Sequence, residues 1–419
     1  MEKEIIKRII AEKHTQLAGA KLIKRKTGLE QKANYAFVGL RRAGKSYTMY
    51  QLVQELIENG EASMENILFI NFEDERITNM KAEELGLLLD AHSEMFDAKP
   101  VIFLDEIQNI EGWEKFARRL ADSTYRVFVT GSNAKMLGKD IYTTLGGRYI
   151  ARNIYPFSFR EYLTFHDVIL NKNWEYGEQR TQVIRLFNDY FYCGGFAESF
   201  GLQDKRGWLN SLYQKILLGD IIARNEIRNE NAIRILAKKI AESVMTPSSL
   251  VRLKHIIDST GTTIARNTLV EYLQMLSDAF LIFGISNYSD KLSDKETFKK
   301  RYYFDNGLLN NFLFDPETKL LENLVAITLK KRYGDNLFYY NRNIEVDFFI
   351  PEHLRAVQAS YSIADDDTRQ REVRALLKLS EVYSLDLPEI VTFNEETTIR
   401  ENGKAIAVVP IWKWLLKEE

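Results

Sequence analysis

The chain has 419 residues, and its 57 Lys and Arg against 59 Asp and Glu give a formal charge of −2. That balance excludes a global electrostatic grip on nucleic acid, so any basic surface is local. Hydrophobic residues at 45% and charged residues at 28% exclude wholesale disorder, and at roughly 150 residues per domain the length predicts two or three domains.

The single cysteine, Cys193, excludes an internal disulfide framework and a multi-thiolate zinc site. The five histidines, His14, His92, His166, His255 and His353, lack ligand spacing. No apolar run approaches the roughly 18 residues of a membrane span. The start MEKEIIKRII is charged throughout, without a signal-peptide core, so a cytoplasmic protein with no membrane partner is expected.

Residues 1–33 carry nine basic and four acidic side chains. Ile5, Ile6, Ile9 and Ile10 form a helix-period stripe, which predicts an amphipathic extension packed on the next domain; a basic arm for nucleic acid is the alternative. From residue 34 short apolar strands alternate with helices. NYAFVGL, ENILFINFED, PVIFLDE and YRVFVTGSN are predicted strands, and KSYTMYQLVQELIENG and EGWEKFARRLAD are predicted helices. Strands this apolar, separated by helices, predict an α/β domain built on a parallel sheet. Residues 161–230 read as mostly helical with a break at Gly194-Gly195, and 231–280 as three helices. Strands return after about 280, interleaved with helices at LLENLVAITLKKRY and REVRALLKLSEVY.

Gly39-Leu40-Arg41-Arg42-Ala43-Gly44-Lys45-Ser46 fits G-x-x-x-x-G-K-[ST] at every fixed position, between a strand and a helix. The glycines let successive N–H groups turn toward phosphate oxygens, and the following helix directs its positive end at the same anion. Lys45 is assigned to the β and γ phosphates of a nucleotide and Ser46 to Mg²⁺. The nucleotide-binding stretch is expected to run from Gly39 to Tyr47.

Val101–Leu104 is a four-residue apolar run that ends in Asp105 and Glu106. Adjacent acids at the end of a buried strand fit a cation and a water. Asp105 is expected in the Mg²⁺ shell, and Glu106 is expected to polarise the water attacking the γ-phosphate. The next apolar run ends in Thr130-Gly131-Ser132-Asn133. Ser132 or Asn133 is a candidate γ-phosphate sensor, and a simple turn is the alternative. Asn71, Glu73 and Asp74 close the neighbouring strand.

GLRRAGKS, VIFLDEIQNIEGW, FVTGSN and GGRYIARNIYPFSFREYL together resemble a widespread class of prokaryotic AAA+-like P-loop ATPases. The resemblance is close over residues 34–165. It implies that Asp105 and Glu106 are the Walker B pair, that Ser132/Asn133 is the sensor position, and that Arg148 is either an arginine finger, in cis or in trans, or a structural salt bridge. YFYCGGFAES and GDIIARNEI resemble the helical lid of that family (161–230), and residues 231–300 its winged-helix insert. ARNTLVEYLQMLSDAF would be the recognition helix, with Arg266, Lys299, Lys300 and Arg301 set to meet duplex DNA phosphates, although Asp290, Asp294 and Glu296 dilute the wing. A packing role without DNA is the alternative.

Residues 301–419 resemble a PD-(D/E)xK nuclease-like domain. Glu322 and Asp347 stand in its first two acidic places, while Gln358 replaces the third acid and Ser360 the lysine. Gln358 lacks the charge that binds a hard divalent ion and Ser360 lacks an ammonium, so a degenerate, inactive nuclease site is expected.

The function expected is Mg²⁺-dependent ATP hydrolysis coupled to movement of the C-terminal half, with DNA or a protein as partner and homo-oligomerisation open. The alternatives are an ATP-gated binding switch with little turnover and, behind it, a metal-dependent nuclease.

Overall fold

The computed structural model describes residues 2–30, 32–132 and 145–418. They fall into two compact units, Met1–Tyr155 and Pro156–Glu419. In the described part of the first unit, α1 (Lys3–Gly19), β1 (Asn34–Val38), α2 (Lys45–Glu58), β2 (Ile67–Asn71), α3 (Gly86–Met95), β3 (Val101–Asp105), α4 (Trp113–Asp122), β4 (Val127–Gly131) and β5 (Tyr149–Asn153) follow one another. The five strands form one sheet in the order β2-β3-β4-β1-β5, with every pairing parallel. Parallel strands buried on both faces read as continuous apolar runs, as β1 to β4 do. β5 escapes that pattern because it is an edge strand, mostly exposed, and carries Arg152 and Asn153.

The register aligns the C-terminal ends of four strands, pairing Val38 with Gly131 and Asn71 with Asp105. The loop between β1 and α2 therefore leaves the same sheet edge at which Asp105 and Glu106 emerge. Tyr35, Phe37, Phe128, Phe103 and Phe69 form an aromatic row across one face, the Phe103–Phe128 centroids being 4.8 Å apart. Leu17 of α1 and Met49 and Val53 of α2 pack into that cluster. α1 turns Ile6, Ile9, Ile10 and Leu17 inward. Its cations find acids: Lys3 and Lys7 pair with Glu94 at 2.7 and 2.8 Å. A helix so engaged offers few cations to a phosphate backbone.

The second unit begins with α5 (Phe159–Phe165), α6 (Glu178–Cys193), α7 (Lys205–Lys215), a π-helical stretch Ile216–Ala223, and α8 (Glu230–Glu242). Then come β6 (Ser248–Ser249), α9 (Leu250–Ser259), α10 (Arg266–Asp278), β7 (Ile282–Ser286), α11 (Leu292–Thr297) and β8 (Phe298–Tyr303), whose strands form a small antiparallel sheet ordered β6-β8-β7. β8 runs through the boundary expected at 300/301. The remainder is α12 (Asn306–Asn310), α13 (Glu317–Tyr333), β9 (Phe338–Asn341), β10 (Glu345–Ile350), β11 (Arg355–Ala359), α14 (Asp366–Val382), β12 (Glu389–Thr392), β13 (Thr397–Glu401), β14 (Lys404–Pro410) and α15 (Ile411–Glu418). These strands form a separate mixed sheet, β13-β14-β12-β11-β10-β9. Trp412 and Trp414 of α15 are buried. Among the described residues no helix is long and apolar enough to cross a membrane.

Candidate functional site

The loop from Gly39 to Lys45 owes its shape to three residues with positive φ, Gly39, Arg42 and Gly44. Gly39 is required by proximity as well, because a Cβ there would lie 2.0 Å from the Ile154 carbonyl oxygen. The alternation of left- and right-handed residues before a helix N-terminus makes an anion-binding concavity. Leu40 and Ala43 are buried, whereas Tyr47 is 59% exposed on the first turn of α2. Arg41 reaches Glu73 at 3.3 Å.

Lys45 is buried, and its Nζ donates to the Gly39 and Leu40 carbonyls at 3.2 and 3.3 Å. It also lies 3.6 Å from Glu106 Oε1. Glu106 adopts φ of 52°, a left-handed conformation that costs a non-glycine residue about 1–2 kcal/mol. Its other oxygen, Oε2, accepts from Gln108 Nε2 at 2.5 Å. Asp105 is fully buried. Its Oδ1 accepts from Thr130 Oγ1 at 2.6 Å, and the same hydroxyl accepts from the Glu106 N–H at 2.8 Å. Burial pushes the Asp105 carboxyl up to about 6, with the Glu106 charge adding to the rise and the Thr130 and Ser46 hydroxyls opposing it.

Two buried oxygens at this edge, Asp105 Oδ2 and Ser132 Oγ, have no hydrogen-bond partner among the described residues. Orphaned hard oxygens beside a P-loop serine fit the donor set of Mg²⁺. Asp105 and Ser46 are the residues that would hold it. Asn133 lies outside the described residues.

Arg148 falls elsewhere. It precedes β5 at the level of Asn34, whose side-chain amide donates to the Arg148 carbonyl at 3.3 Å. That is the opposite end of the strands, roughly 16 Å from the P-loop edge at about 3.3 Å per residue. Its guanidinium pairs there with Asp122. A finger acting in cis is therefore out of reach, because the parallel strand order puts the start of β5 and the end of β1 at opposite edges.

Three contributors escaped the sequence reading. Thr130 ties the two acids together across β3 and β4. Gln108 holds Glu106. Arg25 donates to the Ala43 carbonyl of the loop at 3.2 Å and to Tyr155 O at 3.0 Å, while its backbone is clamped on both sides by the Gln51 amide. A basic residue in an irregular segment carries no motif, and only DEIQ hinted at Gln108.

In the second unit the structure reassigns the expected DNA contacts. Lys300 is 1% exposed and sits among Glu322, Glu345 and Asp347, and Arg301 is also buried, donating to the Ser248 carbonyl at 3.0 Å. Neither faces a phosphate backbone, because both lie on the covered strand β8. Lys299 pairs with Glu296 at 3.2 Å, and Arg266 is exposed at the start of α10. Gln358 stitches β11 to β10, accepting from Asp347 N at 2.7 Å and donating to Glu345 O at 3.1 Å, and Ser360 Oγ donates to Ser362 O at 2.9 Å. Cys193 is half-buried, its thiol pushed up to about 11 mainly by burial, then by the Asp189 charge.

Comparison with known proteins places the first unit in a class. The family model AAA domain matches residues 31–163, so this is an AAA-type P-loop module, and a Domain of unknown function (DUF8612) matches 184–319. The chain is 33% identical over 394 residues to Uncharacterized protein MJ1544 of Methanocaldococcus jannaschii, spanning 90% of this chain and 87% of that one. The chain belongs to the same family as that protein. An uncharacterized protein of Haemophilus influenzae is 28% identical over 392 residues, covering 90% of this chain and 93% of its own. Among solved structures, the Walker-type ATPase PABY2304 of Pyrococcus abyssi is 14% identical with a TM-score of 0.40, over 74% of this chain and 95% of that one. The ORC2 protein of Aeropyrum pernix is 14% identical with a TM-score of 0.33, over 71% and 87%.

Proposed function

We propose that the protein is a Mg²⁺-dependent ATPase. The observation that carries this is the convergence, at one sheet edge, of a phosphate-binding loop, a buried lysine, an acid with an orphaned oxygen and a second acid beside it. The Gly39–Ser46 loop and Lys45 bind the phosphates, Lys45 leaving its carbonyl partners for the anion. Asp105 and Ser46 hold the ion, which when bound supplies charge neutralisation of the phosphates. Glu106 orients a water in line with the γ-phosphorus and accepts its proton. Positioning and electrostatics carry such chemistry.

The test is phosphate release from ATP with Mg²⁺, comparing wild type with Lys45→Ala and Glu106→Gln. Turnover abolished by both supports the reading. Turnover surviving either one overturns it.

A second reading has its own observation. Both Glu106 oxygens are engaged, by Lys45 and by Gln108, so the base is held until something releases it. That arrangement favours a switch that binds ATP tightly and turns over slowly without a partner. The order α8-β6-α9-α10-β7-α11-β8, with sheet order β6-β8-β7, supports the winged-helix reading of the second unit. Its buried Lys300 and Arg301 favour a protein partner over duplex DNA. A cytoplasmic location, homo-oligomerisation and an Arg148 acting in trans belong to the same proposal.

A further inference from the structure

Behind β10 lies a cavity of about 740 Å³ lined in part by Glu322, Glu345, Asp347, Gln358, Ser360 and Glu372. The nuclease resemblance implies a divalent ion here, held by Glu322, Asp347 and the residue at 358. With Lys300 in place the donors present do not fit one. Glu322 Oε1 accepts from Tyr302 Oη at 2.7 Å. Asp347 Oδ2 accepts from Ala359 N at 3.0 Å. The Gln358 carbonyl is taken by the Asp347 N–H at 2.7 Å. Among the described residues no group of three or more acids, histidines or cysteines is arranged to hold a metal.

An ammonium stands there instead. Lys300 Nζ is 3.0 Å from Asp347 Oδ1, 3.0 Å from Glu345 Oε1 and 3.7 Å from Glu322 Oε1, with Lys300 and Glu322 each 1% exposed. The lysine comes from β8, far in sequence from β10 and β11. Lys300 and Tyr302, on the same face of β8, both reach Glu322. Around them stand Tyr339, whose ring centroid is 5.6 Å from Nζ, and Glu372, paired with Arg371 at 2.7 Å. Glu322 is buried and Asp347 largely so, while Glu345 is half-exposed at the rim; the buried carboxylates need a cation or a proton, since unpaired charge in the interior costs several kcal/mol.

We propose that Lys300 is a tethered internal cation that takes the place of a divalent metal at the Glu322–Glu345–Asp347 cluster. The cavity is thereby metal-free in the working protein, and its charge is set by the chain itself rather than by the surrounding Mg²⁺. The acids keep their cation without being able to release or exchange it, so the cluster does no metal-dependent phosphodiester chemistry. Electrostatics agree. Burial pulls the Lys300 ammonium down, but Asp347, Glu322 and Glu345 outweigh it and hold the group well above its ordinary range, while burial and the Asp347 charge push Glu322 up.

The test is Mn²⁺ binding to the nucleotide-free full-length chain, followed by calorimetry and by electron paramagnetic resonance, all in an Asp105→Asn background that silences the P-loop. Without further change the chain is expected to bind no Mn²⁺ that Asp347→Asn removes. Lys300→Met, which keeps length and loses charge, is expected to gain one site, its Mn²⁺ affinity at least roughly 100-fold above any shown by the Lys300-intact chain, because the like charge lying among the carboxylates has been removed. Adding Asp347→Asn should abolish that site, and Lys300→Arg should show none. Should Lys300→Met fold poorly, its melting temperature is expected to rise with Mn²⁺ and fall with chelator, while the Lys300-intact chain responds to neither. Native Mn²⁺ binding lost in Asp347→Asn overturns the proposal. So does a Lys300→Met chain that neither binds Mn²⁺ nor is stabilised by it. None of these readouts depends on ATP turnover.

Discussion

Replacing Thr130 with valine is the sharpest probe of the P-loop edge. The side chain is fully buried, and valine matches its shape. The hydroxyl makes two bonds at once, donating to Asp105 Oδ1 at 2.6 Å and accepting from Glu106 N at 2.8 Å. The first is charge-assisted when Asp105 is ionised, and the second satisfies the N–H of a residue held in a left-handed conformation. Losing a bond to a charged group costs about 1.5–3 kcal/mol, and an orphaned buried N–H adds about 1 kcal/mol or more. Thr130→Val is therefore expected to lose about 2–4 kcal/mol of stability, a drop of roughly 5–15 °C for a unit of this size. The same loss unfixes both acids, so Mg²⁺-nucleotide affinity is expected to fall by roughly 10–100-fold. Differential scanning calorimetry and titration with a fluorescent ATP analogue measure the two effects, and Thr130→Ser, which retains the hydroxyl, should recover most of both. A valine variant that melts within a degree of wild type and binds nucleotide equally well would refute the reasoning.

Other outcomes follow from the same geometry. Burial, first of all, lifts Asp105 to about 6, above its ordinary value of 3.8. Its ionisation therefore costs stability as pH rises from about 4 through 6, and a bound cation, which favours the ionised form, should release close to half a proton at about pH 6 and almost none at about pH 8. Calorimetry in buffers of different ionisation enthalpy reads this, and Asp105→Asn should abolish it. Arg25→Ala should weaken nucleotide binding by roughly tenfold, since the Ala43 carbonyl loses a charged donor worth about 1.5 kcal/mol. Arg148→Ala should leave nucleotide affinity of the dilute chain unchanged and shift stability by no more than about 1 kcal/mol, the range of an exposed ion pair; a loss of affinity would contradict its place at the far sheet edge.

What was legible in the sequence was local. β1 and β3 declare themselves as apolar runs closed by Gly39 and by Asp105-Glu106, and a strand-loop-helix context makes the P-loop specific. β5 was missed because an edge strand need not be apolar on either face. Thr130 was missed because its role arises from which strand lies beside which, and β4 comes to flank β3 only through the sheet order; Gln108, two residues from Glu106, and Arg25, in an irregular segment, carry no motif of their own. Lys300 was misread. FKKRYYF looks like a basic wing when charges are counted, but strand period puts Lys300 on the same face as Tyr302 and Phe304, and an ionic side chain alternating with aromatics signals a buried partner. The acids that supply it are 22 to 47 residues downstream, at Glu322 and Asp347.

The two acid clusters solve one problem in opposite ways. At the P-loop edge a buried carboxylate keeps one oxygen orphaned, which the proposed function assigns to an external cation. At the C-terminal cluster an ammonium and backbone and tyrosine donors already engage both Asp347 oxygens and Glu322 Oε1. Divalent ions should therefore act on the two units unequally. In hydrogen exchange followed by mass spectrometry, Mg²⁺ with a non-hydrolysable ATP analogue is expected to protect peptides spanning residues 39–47 and 101–106. Divalent ion or chelator without nucleotide is expected to leave peptides 298–303 and 320–348 unchanged. Protection of the second set by the ion alone would mean that Lys300 yields its place to metal, and the two clusters would then share one chemistry rather than divide it.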